Sequence, residues 1–288
     1  MKNVTEVVGI SVLVLSCLAV TQISEVIARQ QAEHYTWSVS RGQSDKVQFE
    51  IDHSTPNQSI RWNSDLPWSN FRGLDPQSLH HWTGTHTFKF ARDAGNFICT
   101  GQFSSGRGKG SYTYEENPTY VSELQKLGFP TPNAEELLSM LMSDVSLELV
   151  RSVSAAGLNA STAELIDMSN RGITADYLRE VQSRNLEDFS VHELIEMKNH
   201  NVQPKFLRQL KEAGYNIPTG EIIELQDRGV KPEFLQEVKD LGYNFSPREI
   251  IQMSNEGVNI GYLRKLKTSG YSHLSAEKII KLHNHGID

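Results

Sequence analysis

Five segments between residues 161 and 288 are copies of one another: STAELIDMSNRGI, SVHELIEMKNHNV, TGEIIELQDRGV, SPREIIQMSNEGV and SAEKIIKLHNHGI. Their last apolar residues, Ile173, Val202, Val230, Val258 and Ile287, follow at intervals of 29, 28, 28 and 29. A fainter copy, NAEELLSMLMSDV, ends at Val145, 28 residues upstream. A second phrase recurs between copies: DYLREVQSRNL, KFLRQLKEAGY, EFLQEVKDLGY and GYLRKLKTSGY. Self-similarity at such a period means stacked units that bury their apolar faces only against neighbours. It favours an extended binding surface over a catalytic cleft.

Both phrases carry apolar residues at helical spacing: Ile222, Ile223 and Leu225 in one, Phe234, Leu235 and Val238 in the other. Neither exceeds about a dozen residues, a length at which an isolated helix is marginal in water. The punctuation is helical too. Ser161-x-x-Glu164, Ser190-x-x-Glu193 and Ser246-x-x-Glu249 are capping boxes, with Pro247 at a first helical position; Lys278 stands where the box at Ser275 wants Glu. Gly172, Gly229, Gly257 and Gly286 end the first helices, with Asn201 in the fifth slot. Gly157, Gly214, Gly242 and Gly270 end the second, with Asn185 in the odd one. Asn replaces Gly best in the left-handed conformation of a helix C-cap. Pro204 and Pro232 open the helices that follow. The recurring Asn170, Asn199, Asn255 and Asn284, with Asp227 in the remaining slot, either cap or solvate the last helical turn or form a polar ladder for a ligand.

Residues 34–116 read differently. Aromatic and β-branched residues alternate with polar ones at Trp37 and Val39, Val47, Phe49 and Ile51, Phe88 and Phe90, Phe97 and Cys99, and Tyr112 and Tyr114. Period two means half-buried strands. Asp93-Ala94-Gly95 and the stretch Ser104–Gly110 read as hairpin connections. The expected fold is a small antiparallel all-β domain over 34–116, a sandwich or open barrel of six or seven strands. An α-helical repeat array over 118–288, an α-solenoid of short helix pairs, follows from the Asn117-Pro118 helix start.

Residues 7–20 form an uncharged apolar run behind Lys2, short of the ~20 residues of a membrane span. It reads as a signal peptide over 1–28 cleaved after Ala28, as a signal anchor, or as a segment lipidated at Cys17. Each places the rest of the chain outside the cytoplasm, in the periplasm or at the cell surface, with the membrane touched only by this segment. The net charge of −7 argues against a nucleic-acid surface. With Cys17 in the signal, Cys99 stands alone, a buried thiol rather than half of a disulfide.

Several chemical motifs fail on inspection. Gly106–Gly110 with Lys109 lacks the first Gly and the Ser/Thr of a phosphate loop and leads into a strand. His192-Glu193 opens like a zinc-peptidase helix, but Glu196 occupies the second His position. His80, His81 and His86, with Asp75 nearby, match no closed metal site and read as loop residues. No catalytic, cofactor or metal residue is assigned, and no cofactor is expected. Trp62, Trp68 and Trp82, in a loop-rich stretch with Asn63, Asp65 and Asn70, either close the core of the sheet or offer flat faces beside amides and carboxylates to a ligand such as a sugar.

The segment Gly110–Pro118 and the repeats from Leu137 to Ile287 carry a resemblance. The chain resembles bacterial envelope proteins and protein tails in which a short β domain precedes repeats of the form E-L-I-x-M/L-x-N-x-G-V-x-P-x-F-L-x-x-L-x-x-x-G-Y. Such tails look like those attached to membrane metallopeptidases of the β-lactamase-regulator (antirepressor) family. The resemblance covers residues 35–288. The peptidase's zinc motif and multispan region are absent from this sequence, so proteolysis is not implied. What it implies is an extracytoplasmic sensing or interaction module working beside such a peptidase. The expected function is accordingly non-enzymatic: binding of a protein or peptide partner, such as a membrane peptidase, through the helical repeats. The alternative is carbohydrate binding through Trp62, Trp68 and Trp82. The final copy, after which a second helix would be due, is expected to act as a cap or an open docking face.

Overall fold

A computed structural model describes residues 34–54, 59–182, 189–271 and 273–287. The N-terminal apolar run, with Cys17 and Ala28, and the Asn185 cap position lie outside them. No helix among the described residues is long and apolar enough to cross a membrane. The chain divides into two compact units, 1–120 and 121–288.

The first unit is built on one antiparallel sheet. Its strands are β1 (His34–Arg41), β2 (Val47–Ser54), β3 (Ser59–Leu66), β4 (Phe71–Arg72), β5 (Gly84–Arg92), β6 (Gly95–Ser104) and β7 (Arg107–Glu116), in the order β3-β2-β1-β7-β6-β5-β4. A short helix α1 (Pro76–His81) precedes β5. Phe49 on β2 and Phe90 on β5 have three strands between them, which in a flat sheet is about 19 Å. Their ring centroids are 5.2 Å apart, and Phe49 lies equally close to Phe71 on β4. The sheet therefore curls around its own inner face, the open barrel of the two architectures left open by the sequence. That face holds Trp37, Val39, Phe49, Ile51, Phe88, Phe90, Phe97, Cys99, Phe103 and Tyr112, all buried. Burial pushes the Cys99 thiol well above its ordinary value, so it stays protonated and inert.

Two local features differ from expectation. Trp62, Asn63 and Asp65 belong to a strand, β3, rather than a loop; Arg61, Asn63 and Asp65 alternate outward from it, and the charged edge hides the strand in a composition-based reading. The glycine-rich stretch is mostly strand as well, with only Ser105 and Gly106 forming the turn, both at positive φ. Its glycines serve close packing. Gly101 and Gly110 face each other across β6 and β7, and a Cβ on either would stand 2.1–2.2 Å from a carbonyl oxygen of the other strand.

The second unit is a stack. After α2 (Pro118–Lys126), which crosses the division, come α3 (Ala134–Met142), α4 (Leu147–Ala155), α5 (Thr162–Asn170), α6 (Ala175–Gln182), α7 (Val191–Asn199), α8 (Pro204–Glu212), α9 (Thr219–Asp227), α10 (Pro232–Asp240), α11 (Pro247–Asn255), α12 (Ile260–Thr268) and α13 (Ala276–Asn284). Each packs on the helix two places along: α3, α5, α7, α9, α11 and α13 form one layer, α4, α6, α8, α10 and α12 the other. Ser161, Ser190 and Ser246 each make a reciprocal capping box with Glu164, Glu193 and Glu249, and Asn133 does the same with Glu136 in the fainter copy. Hydrogen bonds from the serine backbone N–H hold the Glu164 and Glu193 carboxyls below the usual range. At the other end Gly172, Gly229, Gly257 and Gly286 have φ of 71°, 66°, 76° and 65°, and Asn201 has 56°. The next residue in each case (Ile173, Val230, Val258, Ile287 and Val202) returns its N–H to a carbonyl five residues back, at 2.9–3.0 Å. Asp144, φ 58°, fills this slot in the fainter copy.

Candidate functional site

In the first unit the three tryptophans do not form one platform. Trp62 is half-buried on β3, packed against Phe49 and Phe90 and covered by the Arg92 guanidinium 5.5 Å from its centroid. Trp82 follows α1, stacks on His86 at 4.3 Å and meets Phe103 edge-on. Phe90 and Phe103 mark opposite ends of β5, since Phe103 pairs with Gly84. The two tryptophans thus lie toward opposite ends of β5, with Phe88 between their clusters, its ring 6.1 Å from Phe49 and 6.2 Å from Phe103. Trp68 sits in the 3-10 turn Trp68–Asn70, half-buried, with its indole N–H buried and without an acceptor among the described residues. Asp75 caps α1 through the Ser78 N–H, and His80 and His81 lie exposed on that helix. Among the described residues no group of three or more His, Cys, Asp or Glu side chains could hold a metal ion.

The outer face of the same sheet carries a trough of about 580 Å³ lined by Thr36, Trp37, Ser38, Glu50, Asp52, Gln102, Lys109 and Gly110. Glu50, Ser38, Lys109 and Gln102 stand in one cross-strand row over β2, β1, β7 and β6. Ser38 donates to Glu50 at 3.2 Å, and Arg61 flanks the trough through Asp52 at 3.0 Å. Hydroxyl, amide, carboxylate and ammonium groups on rigid strands can address a polyhydroxylated ligand from several directions.

In the second unit Asn199, Asp227, Asn255 and Asn284, four of the five recurring residues, make rungs that join successive repeats. Arg171 donates to Asn199, His200 meets Asp227 at 3.0 Å, Arg228 donates to Asn255 at 3.1 Å, and Asn284 donates to Glu256 at 3.1 Å. In each rung the residue just past one first helix reaches the last residue of the next. A second set of links closes helix ends. Ser154, Ser169, Lys239 and Lys267 donate to carbonyls of Leu127, Ser143, Ala213 and Leu241, each in the preceding unit. Those carbonyls form the negative end of a helix and have no intrahelical donor. Sequence reasoning had the positions but not the pairing, because the partners lie 26–28 residues apart.

The last unit departs from the others. Anchors Ile173, Val202, Val230 and Val258 are 1%, 0%, 4% and 3% exposed, whereas Ile287, their counterpart, is 46% exposed. Tyr215 and Tyr243 are 8% and 6% exposed; Tyr271 in the same slot is 48%. Met168, Met197, Leu225 and Met253 are fully buried, and Leu282 only half. Tyr271 and Ile287 are the large apolar side chains that stand out among the described residues. No family model matches the chain, and no match emerges among curated proteins or solved structures.

Proposed function

We propose that this is a non-enzymatic, extracytoplasmic interaction or sensor protein that binds a protein or peptide partner, such as a membrane peptidase, through its helical repeats. One observation carries the reading. The helices stack in two layers, each on the helix two places along, so successive repeats present continuous faces, and stacks of this kind bind partners along extended surfaces. The full-length tagged chain, cross-linked through its lysines in native envelopes, provides the test. Partner cross-links at Lys265, Lys267, Lys278 and Lys281 support the proposal. Cross-links confined to Lys46, Lys89 and Lys109 of the sheet sink it.

The trough on the sheet favours a second reading, carbohydrate binding by the β domain. Glu50, Ser38, Lys109 and Gln102 stand in one row across a lining that is largely apolar by area, polar groups beside an apolar surface such as a sugar ring meets. Retention on envelope polysaccharide should fall in Glu50→Gln with Asp52→Asn if the trough binds, and in Trp62→Ala, Trp68→Ala and Trp82→Ala together if the tryptophans do. Undiminished retention in both variants dismisses the reading.

A further inference from the structure

One joint of the stack lacks a side chain that its counterparts have. Lys239 of α10 donates through Nζ to the Ala213 carbonyl at 2.6 Å and the Gly214 carbonyl at 3.3 Å, and stands 4.0 Å from the centroid of the Tyr215 ring. Lys267 of α12 holds the Leu241 carbonyl at 2.7 Å. Both lysines stand three residues before the glycine that ends their helix, and both bind the carbonyl just before the preceding unit's glycine. Carbonyls at that end form the negative pole of a helix and lack intrahelical donors. At the matching joint between α2 and α4 the lysine slot holds Ser154, whose Oγ reaches the Leu127 carbonyl only at 3.4 Å. A Cβ on Gly214 would stand 3.1 Å from Lys239 Nζ, whereas on Gly128, its counterpart, it meets nothing within 4 Å. In place of the lysine there is a cavity of about 420 Å³, bounded by Leu127, Gly128, Phe129, Ser154, Leu158 and Ser161, all within the second unit.

We infer that this cavity takes a primary ammonium group on an alkyl chain, the lysyl side chain of the protein partner. The inference rests on the proposal that the repeats bind protein, and it adds a contact by which they hold it. The ammonium would take the place that Lys239 Nζ takes in its own joint, donating to the Leu127 and Gly128 carbonyls beside the ring of Phe129, the residue in the Tyr215 slot. Carbonyl oxygens answer its N–H donors, and an aromatic face attracts a cation most where water is partly excluded. Leu158 offers an apolar wall to the methylene stem. The surroundings suit a cation. Residues 121–173 hold seven carboxylates against three basic side chains, and Lys126 and Arg151 are paired with Glu123 and Arg171 with Asp167. Ser161, on the rim, is the N-cap of α5, and its N–H donates to the Glu164 carboxylate at 2.8 Å, which brings another negative group to that side.

The experiment titrates the full chain with N-acetyl-lysine methylamide, observed by NMR, and with the same compound acetylated at Nζ as the control that lacks the charge. The charged probe should bind at least about tenfold tighter than the control. Ser154→Lys fills the cavity with the residue that Lys239 and Lys267 place in the same slot. It should abolish binding of the probe and raise the midpoint of the helical melting transition. Adding Lys239→Ser to it opens the corresponding joint at Ala213 and Gly214 and should restore binding. Phe129→Leu, which keeps the lysine slot empty and removes the ring, should weaken the probe severalfold. Equal binding of the acetylated control, or binding unchanged by Ser154→Lys and by Phe129→Leu, overturns the inference. So does spermidine binding in the same cavity at least about tenfold tighter than the lysine probe, which would make it a site for a free polyamine. In native envelopes, cross-linked partner on the repeats should fall severalfold in Ser154→Lys. If it is recovered undiminished, the interaction role stands and only the lysine inference falls. If no partner attaches to the repeats of the wild type either, both fall.

Discussion

The two units bury their apolar surface in opposite ways. The sheet closes one aromatic core from residues far apart in sequence: Phe49 reaches Phe71 and Phe90, and Phe90 stacks on Phe97 at 5.8 Å. The helical stack uses aliphatic slots that repeat, each helix touching the one two places along. Damage in a shared core spreads through the whole domain, whereas damage in a nearest-neighbour stack is felt by the adjacent repeats. The four tryptophans, Trp37, Trp62, Trp68 and Trp82, all lie in the first unit. Tryptophan fluorescence therefore reports on one unit, and helical circular dichroism largely on the other.

The largest expected effect is on the sheet. Phe90→Ala, at a side chain with no exposed surface, should cost about 3–5 kcal/mol. The fluorescence transition should move far down in temperature while the helical signal keeps its midpoint. A common shift of both would break the contrast between the units. Next comes Gly229→Val. A Cβ there meets nothing within 4 Å, so the cost lies in forcing a β-branched residue to φ 66°. About 1–2 kcal/mol is expected, read as faster hydrogen exchange across residues 203–258 with unchanged fluorescence. Uniform acceleration along all repeats would contradict nearest-neighbour coupling.

Acid should act on the stack through its caps. Glu193 has a lowered folded-state value, first through the Ser190 backbone N–H and then through the Thr219 and Ser190 hydroxyls. Its contribution is present above the unfolded glutamate value, about 4.3, and is lost as pH falls through the folded one. Glu193→Gln should lower the helical midpoint slightly at neutral pH and flatten its decline on acidification. Parallel pH curves for the two proteins would refute the cap's electrostatic role. The smallest effect is a gain: Lys278→Glu should raise stability by about 0.5–1 kcal/mol by completing the box at Ser275, seen as a higher midpoint for α13 in hydrogen exchange.

Much of the stack was legible in the sequence because its determinants are local. A capping serine and its glutamate sit three residues apart, and a left-handed residue and the anchor behind it are neighbours. Chain-local spacing therefore located the helix starts and stops, as well as Asn201 where most copies have Gly. The sheet was legible only where alternation was apolar. β3 escaped notice because Arg61, Asn63 and Asp65 dominate its outward face, although Ile60, Trp62 and Leu66 keep the inward period.

By itself, then, the sequence determined the period of the array, the ends of its helices, the β character of residues 34–116 and the identity of the core positions. Those follow from backbone sterics and from side-chain periodicity within a few residues. The tertiary structure alone decided that the sheet curls into an open barrel, that Trp62 and Trp82 lie toward opposite ends of β5, and that four of the five recurring Asn and Asp residues bridge repeats. It also decided that Tyr271 and Ile287, written like their buried counterparts, are exposed. Each of these depends on which residues distant in the chain come to cover or meet a side chain, and that is fixed by packing rather than by local spacing.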